Sequence, residues 1–284
     1  MKKIEIAFSP CPNDCFIFDA LVHQRIDTEG YEFVPVLADV ETLNISAFEQ
    51  RYDVTKISYH AFAYCCENYA MLESGSALGH NCGPLLISKR PISYEEAAKG
   101  DLFVAIPGKY TTANFLLGLA FPKLVKKIEM TFSMVEDSVL KGDVDAGVII
   151  HENRFTYAQK GLRKVIDLGE WWEKRTARAI PLGGIAIKRS FPQREQRQIS
   201  DLIGRSAQFA LDNPEVSMPY VRAHAQEMDD EVMKKHIALY VNKASVNVGQ
   251  MGRLAVQKMF EMGKQRNIIP DCSQGIFITP LLPE

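Results

Sequence analysis

Ile4, Ile6 and Phe8 alternate with Lys3, Glu5 and Ala7, the pattern of a half-buried strand. A polar connection, Ser9-Pro10-Cys11-Pro12-Asn13-Asp14, follows, and its two prolines make it stiff. Residues 16–23 then read as an apolar-faced helix, with Asn13 or Asp14 placed to cap it. The alternation of periods continues down the chain. Strands are expected at 31–37, 54–58 and 83–88, separated by helices at 40–50 and 61–71. After a polar helix at 94–100, a second series begins: strand 102–106, turn 107–112, helix 113–120, strand 128–132, helix 133–141 and strand 146–150. A further apolar strand at 180–187 carries Gly183-Gly184. From Ser190 onward apolar positions recur at helical spacing, over 199–211, 232–240 and 251–262.

Strands alternating with helices predict an α/β protein with largely parallel sheets. The second series repeats the design of the first. Asp53-Val54 leading to Ser58 is matched by Asp143-Val144 leading to His151, a short internal repeat. The simplest assembly has one lobe from residues 1–90 and 190–284 and another from 91–189, joined by crossovers near 88–92 and 180–190. This layout resembles the type II periplasmic-binding-protein-like fold, which implies a site in the cleft between lobes.

Composition narrows the function classes. The 284 residues are 46% hydrophobic and 24% charged, ordinary values for a globular protein. A net charge of −2, from 33 basic and 35 acidic residues, supplies no drive toward nucleic acid or an anionic membrane. No apolar run is long enough to span a bilayer, and Glu5, Asn13 and Asp14 interrupt any signal-like segment after Met1-Lys2-Lys3. A cytoplasmic protein is expected, with no membrane insertion. The six cysteines show no disulfide-framework spacing, and most read as small buried residues. Without a CxxC or paired-histidine pattern, no metal is expected. Dinucleotide, Walker, HExxH and GxSxG motifs are absent.

Candidate chemistry gathers at predicted strand ends. His151 follows the apolar run Val148-Ile149-Ile150, so it falls at the carboxyl end of a buried strand, where a neutral imidazole can serve as general base. Glu152 and Arg154 follow, to orient it or to bind an acidic group; the plain alternative is a histidine satisfying local backbone groups. Thr111 and Thr112 precede a helix and suit a carboxylate or phosphate, or one of them is simply its cap. Lys56, Ile57 and Ser58 end another strand, with Lys56 and Ser58 on one face. A lysine inside a buried strand needs a partner. His60 is a second base candidate and an equally good helix-start cap. Gly183 permits close backbone approach to a ligand or a hinge between lobes. Trp171-Trp172 reads as lobe packing.

Ser9 to Asp14, Phe16-Ile17-Phe18, Tyr52 to Lys56, Gly108 to Thr112 and Ile150-His151-Glu152 with Arg154 to Tyr157 together resemble the 1,4-dihydroxy-6-naphthoate synthase family of the futalosine route to menaquinone. The resemblance runs in order over nearly the whole chain; after about residue 190 it is one of helical character only. The chain departs from the pattern at Cys15, where the family carries threonine. The resemblance implies a cytoplasmic lyase that acts on cyclic dehypoxanthinyl futalosine without metal or organic cofactor. It implies His151 as proton acceptor, with substrate contacts from Lys56-Ile57-Ser58 and Thr111-Thr112. Asn13, Asp14, Gly183 and Arg154 complete the expected substrate-binding set, and a homodimer is a candidate assembly. Two rival readings are a chorismate dehydratase-like enzyme of the same pathway and a cytoplasmic binding module for a small acidic ligand. The dehydratase pattern lacks the Ser9–Asp14 turn and the Ile-His-Glu segment.

Overall fold

Two β-sheets organise the computed structural model, which describes residues 1–225 and 229–279. The chain opens β1 (Lys2–Phe8), α1 (Pro12–Val22), β2 (Tyr31–Leu37), α2 (Val40–Phe48), β3 (Val54–Ser58), α3 (Tyr59–Phe62), β4 (Tyr69–Met71) and β5 (Ala77–Gly79). It continues β6 (Leu85–Ser88), α4 (Tyr94–Lys99), β7 (Val104–Ile106), α5 (Thr112–Ala120), β8 (Lys127–Glu129), α6 (Val135–Lys141), β9 (Ala146–Ile149), α7 (Asn153–Thr156), β10 (Arg163–Asp167) and α8 (Leu168–Thr176). Last come β11 (Ile180–Lys188), α9 (Gln193–Asp212), α10 (Pro214–His224), α11 (Asp230–Tyr240), α12 (Lys243–Val246) and α13 (Gly249–Gln265).

The first sheet runs β2-β1-β3-β11-β4, with β5 also paired to β11; the second runs β10-β6-β9-β7-β8. Each holds the same parallel trio. β1 lies between β2 and β3, and β7 lies between β8 and β9. The short sequence repeat is thus part of a structural one, in which β1-α1-β2-α2-β3 matches β7-α5-β8-α6-β9. The remaining pairings, β11 with β3, β4 and β5, and β6 with β9 and β10, are antiparallel. The sheets are therefore mixed, not largely parallel as the alternation of elements predicts.

The strands beside the expected crossovers belong to the opposite sheets. β6 pairs with β9 in the second sheet although it precedes residue 90, and β11 pairs with β3 in the first although it precedes 190. Both are apolar and buried, so each sits where two neighbours cover it. The chain changes sheet after β5 and again before β11. Residues 61–71, expected as a helix, form only the end of a single turn, α3, before the chain extends into β4. Pairing of β4 with β11 overrides local helical spacing there.

Helix α9 packs on the first sheet. Ile199, Leu202, Ile203 and Ala207 of α9 join Ile4, Ile6, Phe8 and Phe18 in one buried cluster. Full burial of such side chains contributes about 1.5–3 kcal/mol each. Trp172 is fully buried and its Nε1 donates to the Ala179 carbonyl at 3.1 Å. Cys11, Cys15, Cys65 and Cys82 are buried free thiols, as expected of most of the six, whereas Cys66 is disulfide-bonded to Cys272, with Cα atoms 6.0 Å apart, which the spacing did not predict. The partners are 206 residues apart, a separation that leaves no spacing to recognise. No helix among the described residues is long and apolar enough to cross a membrane.

Candidate functional site

The carboxyl ends of β1, β3, β7 and β9 converge on one cavity of about 100 Å³. In open sheets of this kind the crevice outside those ends is where ligands collect. Asn13, Asp14, Lys56, Ile57, Ser58, Thr111, Thr112, His151 and Gly183 all line it. Arg154 does not. Its guanidinium donates to the Gly83 carbonyl and pairs with Asp167 at 3.2 Å, so its charge is spent holding the chain beside β6 and α8.

The turn after β1 presents the first wall. Helix α1 starts earlier than its apolar run, with Cys11 as N-cap and Pro12 at its first position, so neither Asn13 nor Asp14 caps it. That frees both side chains for the cavity. Asp14 is buried and pairs with Lys56 at 2.8 Å, which supplies the partner a strand lysine requires. Asn13 Nδ2 donates to Asp14 Oδ1 at 2.8 Å and Ser9 Oγ donates to Oδ2 at 2.7 Å. The carboxylate thus meets three side-chain donors. Ser58 is held by Asn44, which accepts from its backbone N–H at 2.9 Å.

The turn after β7 forms the facing wall. Thr111 caps α5 by accepting from the Asn114 N–H at 3.2 Å, and its own hydroxyl donates to the Gly108 carbonyl at 2.8 Å. Thr112 Oγ donates to the Leu182 carbonyl at 2.6 Å. Both hydroxyls are committed to the protein, whereas the backbone N–H groups of Thr112 and Ala113 have no acceptor among the described residues. Gly183 is required by β3: a side chain there would meet the Ile57 carbonyl at 2.8 Å.

His151 stands just beyond β9 in a left-handed conformation, with φ of 58°. For a residue other than glycine this costs about 1–3 kcal/mol and recurs at functional sites. Its ring packs edge-on to Phe132, and Nδ1 lies 3.3 Å from Cys11 Sγ. Desolvation lowers its pKa, partly offset by Glu152 and Asp14, so the imidazole is neutral at pH 7. His60 is turned away from the cavity: Nδ1 lies 3.2 Å from the Thr111 carbonyl, and burial pushes its pKa down to about 4.

One residue of this wall carries no signal that the sequence singles out. His236 of α11 contacts Asn13 from 223 positions away, with Nε2 2.8 Å from its Oδ1, and its ring lies parallel to that of His151 at 6.1 Å. Cys11 lay within the recognised turn, and its proximity to a strand-end histidine could be guessed only from the repeat. Ligand atoms of Cys11, His151 and Glu152 lie within 4.8 Å of one another, the one set with metal-ligand spacing among the described residues. Burial raises the Cys11 thiol well above its ordinary range.

Comparison with known proteins places this geometry in a family. Residues 4–265 match the family model described as menaquinone biosynthesis. A 1,4-dihydroxy-6-naphthoate synthase of Thermus thermophilus is 43% identical over 98% of this chain and all of its own length. One from Streptomyces coelicolor is 38% identical over 94% of this chain and 95% of its own. A crystallised protein of Archaeoglobus fulgidus superposes with a TM-score of 0.88 at 36% identity, covering 94% of this chain and 98% of that one. The alkanesulfonate-binding protein of Xanthomonas axonopodis, solved with MOPS, shares the fold at a TM-score of 0.73 and 11% identity, over 98% of this chain and 96% of that one. The periplasmic-binding-protein-like architecture expected from the layout is therefore present, and the chain belongs to the 1,4-dihydroxy-6-naphthoate synthase family of menaquinone biosynthesis.

Proposed function

We propose that this chain is a cytoplasmic carbon–carbon lyase that converts cyclic dehypoxanthinyl futalosine to 1,4-dihydroxy-6-naphthoate, with His151 as general base. The observation that carries the reading is a neutral histidine in a left-handed strand-end conformation, facing a cavity walled by the equivalent turns of two sheets. With hydrogen on Nδ1, directed at the Cys11 sulfur, Nε2 keeps the lone pair that removes the substrate proton. Carbon–carbon cleavage then follows within walls that exclude water.

The aromatic carboxylate is held at the start of α5. Because the Thr111 and Thr112 hydroxyls are spent, the N–H groups of Thr112 and Ala113 supply the donors, aided by the helix dipole. Lys56 and Asn13 stand on the opposite wall and receive the polar end derived from the sugar, with Asp14 holding both in place. Ile57, Ser58 and Gly183 shape the floor. Arg154 contributes by fixing the segment after His151, not by touching the ligand.

The test is to incubate the purified protein with cyclic dehypoxanthinyl futalosine and assay for the naphthoate. Formation of product without added metal or cofactor is expected. Saturable binding without turnover would leave a binding module and overturn the reading.

A further inference from the structure

Three donor atoms of the kinds that zinc selects meet beside the base. Cys11 Sγ, a ring nitrogen of His151 and a carboxylate oxygen of Glu152 lie within 4.8 Å of one another. Two ligands of one tetrahedral zinc ion stand about 3.3–3.6 Å apart, given its bond lengths. Cys11 Sγ and His151 Nδ1 are already at that spacing, 3.3 Å. A fourth donor stands next to them. His236 Nδ1 is 3.6 Å from Glu152 Oε2, and neither atom has a hydrogen-bond partner among the described residues. His236 meets the Asn13 amide oxygen through Nε2, at 2.8 Å, so Nδ1 is the nitrogen left for a metal.

We infer that Cys11, His151 and Glu152, with His236 as fourth ligand, form a zinc-binding site, and that zinc bound there inhibits the proposed reaction. A thiolate, two imidazoles and a carboxylate in a compact set suit zinc, whereas magnesium and calcium call for oxygen donors alone. Coordination deprotonates a thiol outright. The S–H bond of Cys11 breaks, the Zn–S bond forms and the proton leaves to solvent. Thiolate and carboxylate then offset the two charges of the ion. The nearby cations do not compete for the Glu152 carboxylate, because Arg154 is paired with Asp167 and Lys56 with Asp14.

Zinc on His151 silences the ring as a base. A neutral imidazole has two nitrogens and one hydrogen. Zinc on Nδ1 sends that hydrogen to Nε2, and zinc on Nε2 takes the lone pair itself. Either way no lone pair remains for the substrate proton. The inhibition rests on His151 being the general base; the binding of zinc does not. His151 lines the cavity and is half-buried, which gives the ion its way in. The ligands also come from separate parts of the fold: Cys11 precedes α1 beside the first sheet, His151 and Glu152 follow β9 of the second, and His236 lies on α11. A bound ion therefore ties the two cavity walls together.

Cobalt(II), which substitutes for zinc and reports its ligands by colour, is the probe. The full-length protein, first cleared of metal with a chelator, is titrated with cobalt and then with zinc near neutral pH. Expected are one equivalent of cobalt bound, the intense visible bands of a tetrahedral ion, a near-ultraviolet sulfur-to-cobalt charge-transfer band, and loss of both when zinc is added. Cys11→Ser should lose the charge-transfer band. Glu152→Gln should keep that band and bind zinc more weakly by at least the about 10–100-fold that losing an outer-shell partner costs. Circular dichroism checks that each variant is folded, and Glu152→Gln decides alone if Cys11→Ser is not. A weak octahedral spectrum, a charge-transfer band that survives in folded Cys11→Ser, or wild-type zinc affinity in Glu152→Gln would overturn the inference. In turnover, one equivalent of zinc should lower the wild-type rate by about 100-fold or more, with recovery on adding chelator. Full turnover with zinc bound would overturn the inhibition. A tetrahedral cobalt spectrum in a protein that shows no turnover even with chelator would uphold the site and refute the proposed reaction instead.

Discussion

Replacing Lys56 by methionine tests the electrostatic frame of the site. The substitution keeps most of the stem and removes the charge. Its partner Asp14 retains the Ser9 and Asn13 donors but loses the cation 2.8 Å away. The two side chains are 9% and 2% exposed, so water cannot replace the missing charge. Removing one member of a buried pair costs about 3–5 kcal/mol, because the other is left as an uncompensated ion. Against a typical total of about 5–15 kcal/mol, that is a loss easily read from urea unfolding followed by circular dichroism. The double variant Lys56→Met/Asp14→Asn removes the stranded charge as well. It should recover most of the loss, with a coupling energy of about 2 kcal/mol or more. A single variant within about 1 kcal/mol of wild type, or a double variant no better than the single, would refute the reasoning.

Acidification should destabilise the protein through His60. The unfolded chain takes up a proton near the ordinary histidine value of 6.5 and the folded one only near 4, so stability is full above that window and falls as pH drops through it. At pH 5 the share of His60 is about 2 kcal/mol relative to pH 7, read as a lower urea midpoint. His60→Gln should remove that share, and a variant showing the full wild-type fall would contradict the assignment. Alkylation of the denatured, unreduced protein should label four cysteines, and all six only after reduction. Six labels before reduction would contradict the Cys66–Cys272 pairing.

What could be read from the residues follows a physical divide. Local periodicity and strand-end logic place His151, Lys56 and the Thr111-Thr112 turn, because each depends on a few neighbouring positions. The repeat of strand, turn and helix brings those ends to one cavity. Features fixed by distant partners were not legible. His236 reaches Asn13 across 223 positions, and Cys66 meets Cys272 across 206. The sheet membership of β6 and β11 also depends on pairing, since an apolar run does not name its neighbour. The start of α1 lies only a few residues before the one its apolar run predicts. Pro12 at its first position is itself a start signal, and it moves the cap from Asn13 or Asp14 to Cys11.

The central claim is that His151 takes the proton, and His151→Asn tests it most directly. The variant should bind the naphthoate product with near wild-type affinity by calorimetry. Its kcat on cyclic dehypoxanthinyl futalosine should fall by about 10²–10⁴-fold, the usual contribution of a positioned base. A variant that turns over at close to the wild-type rate would contradict the account.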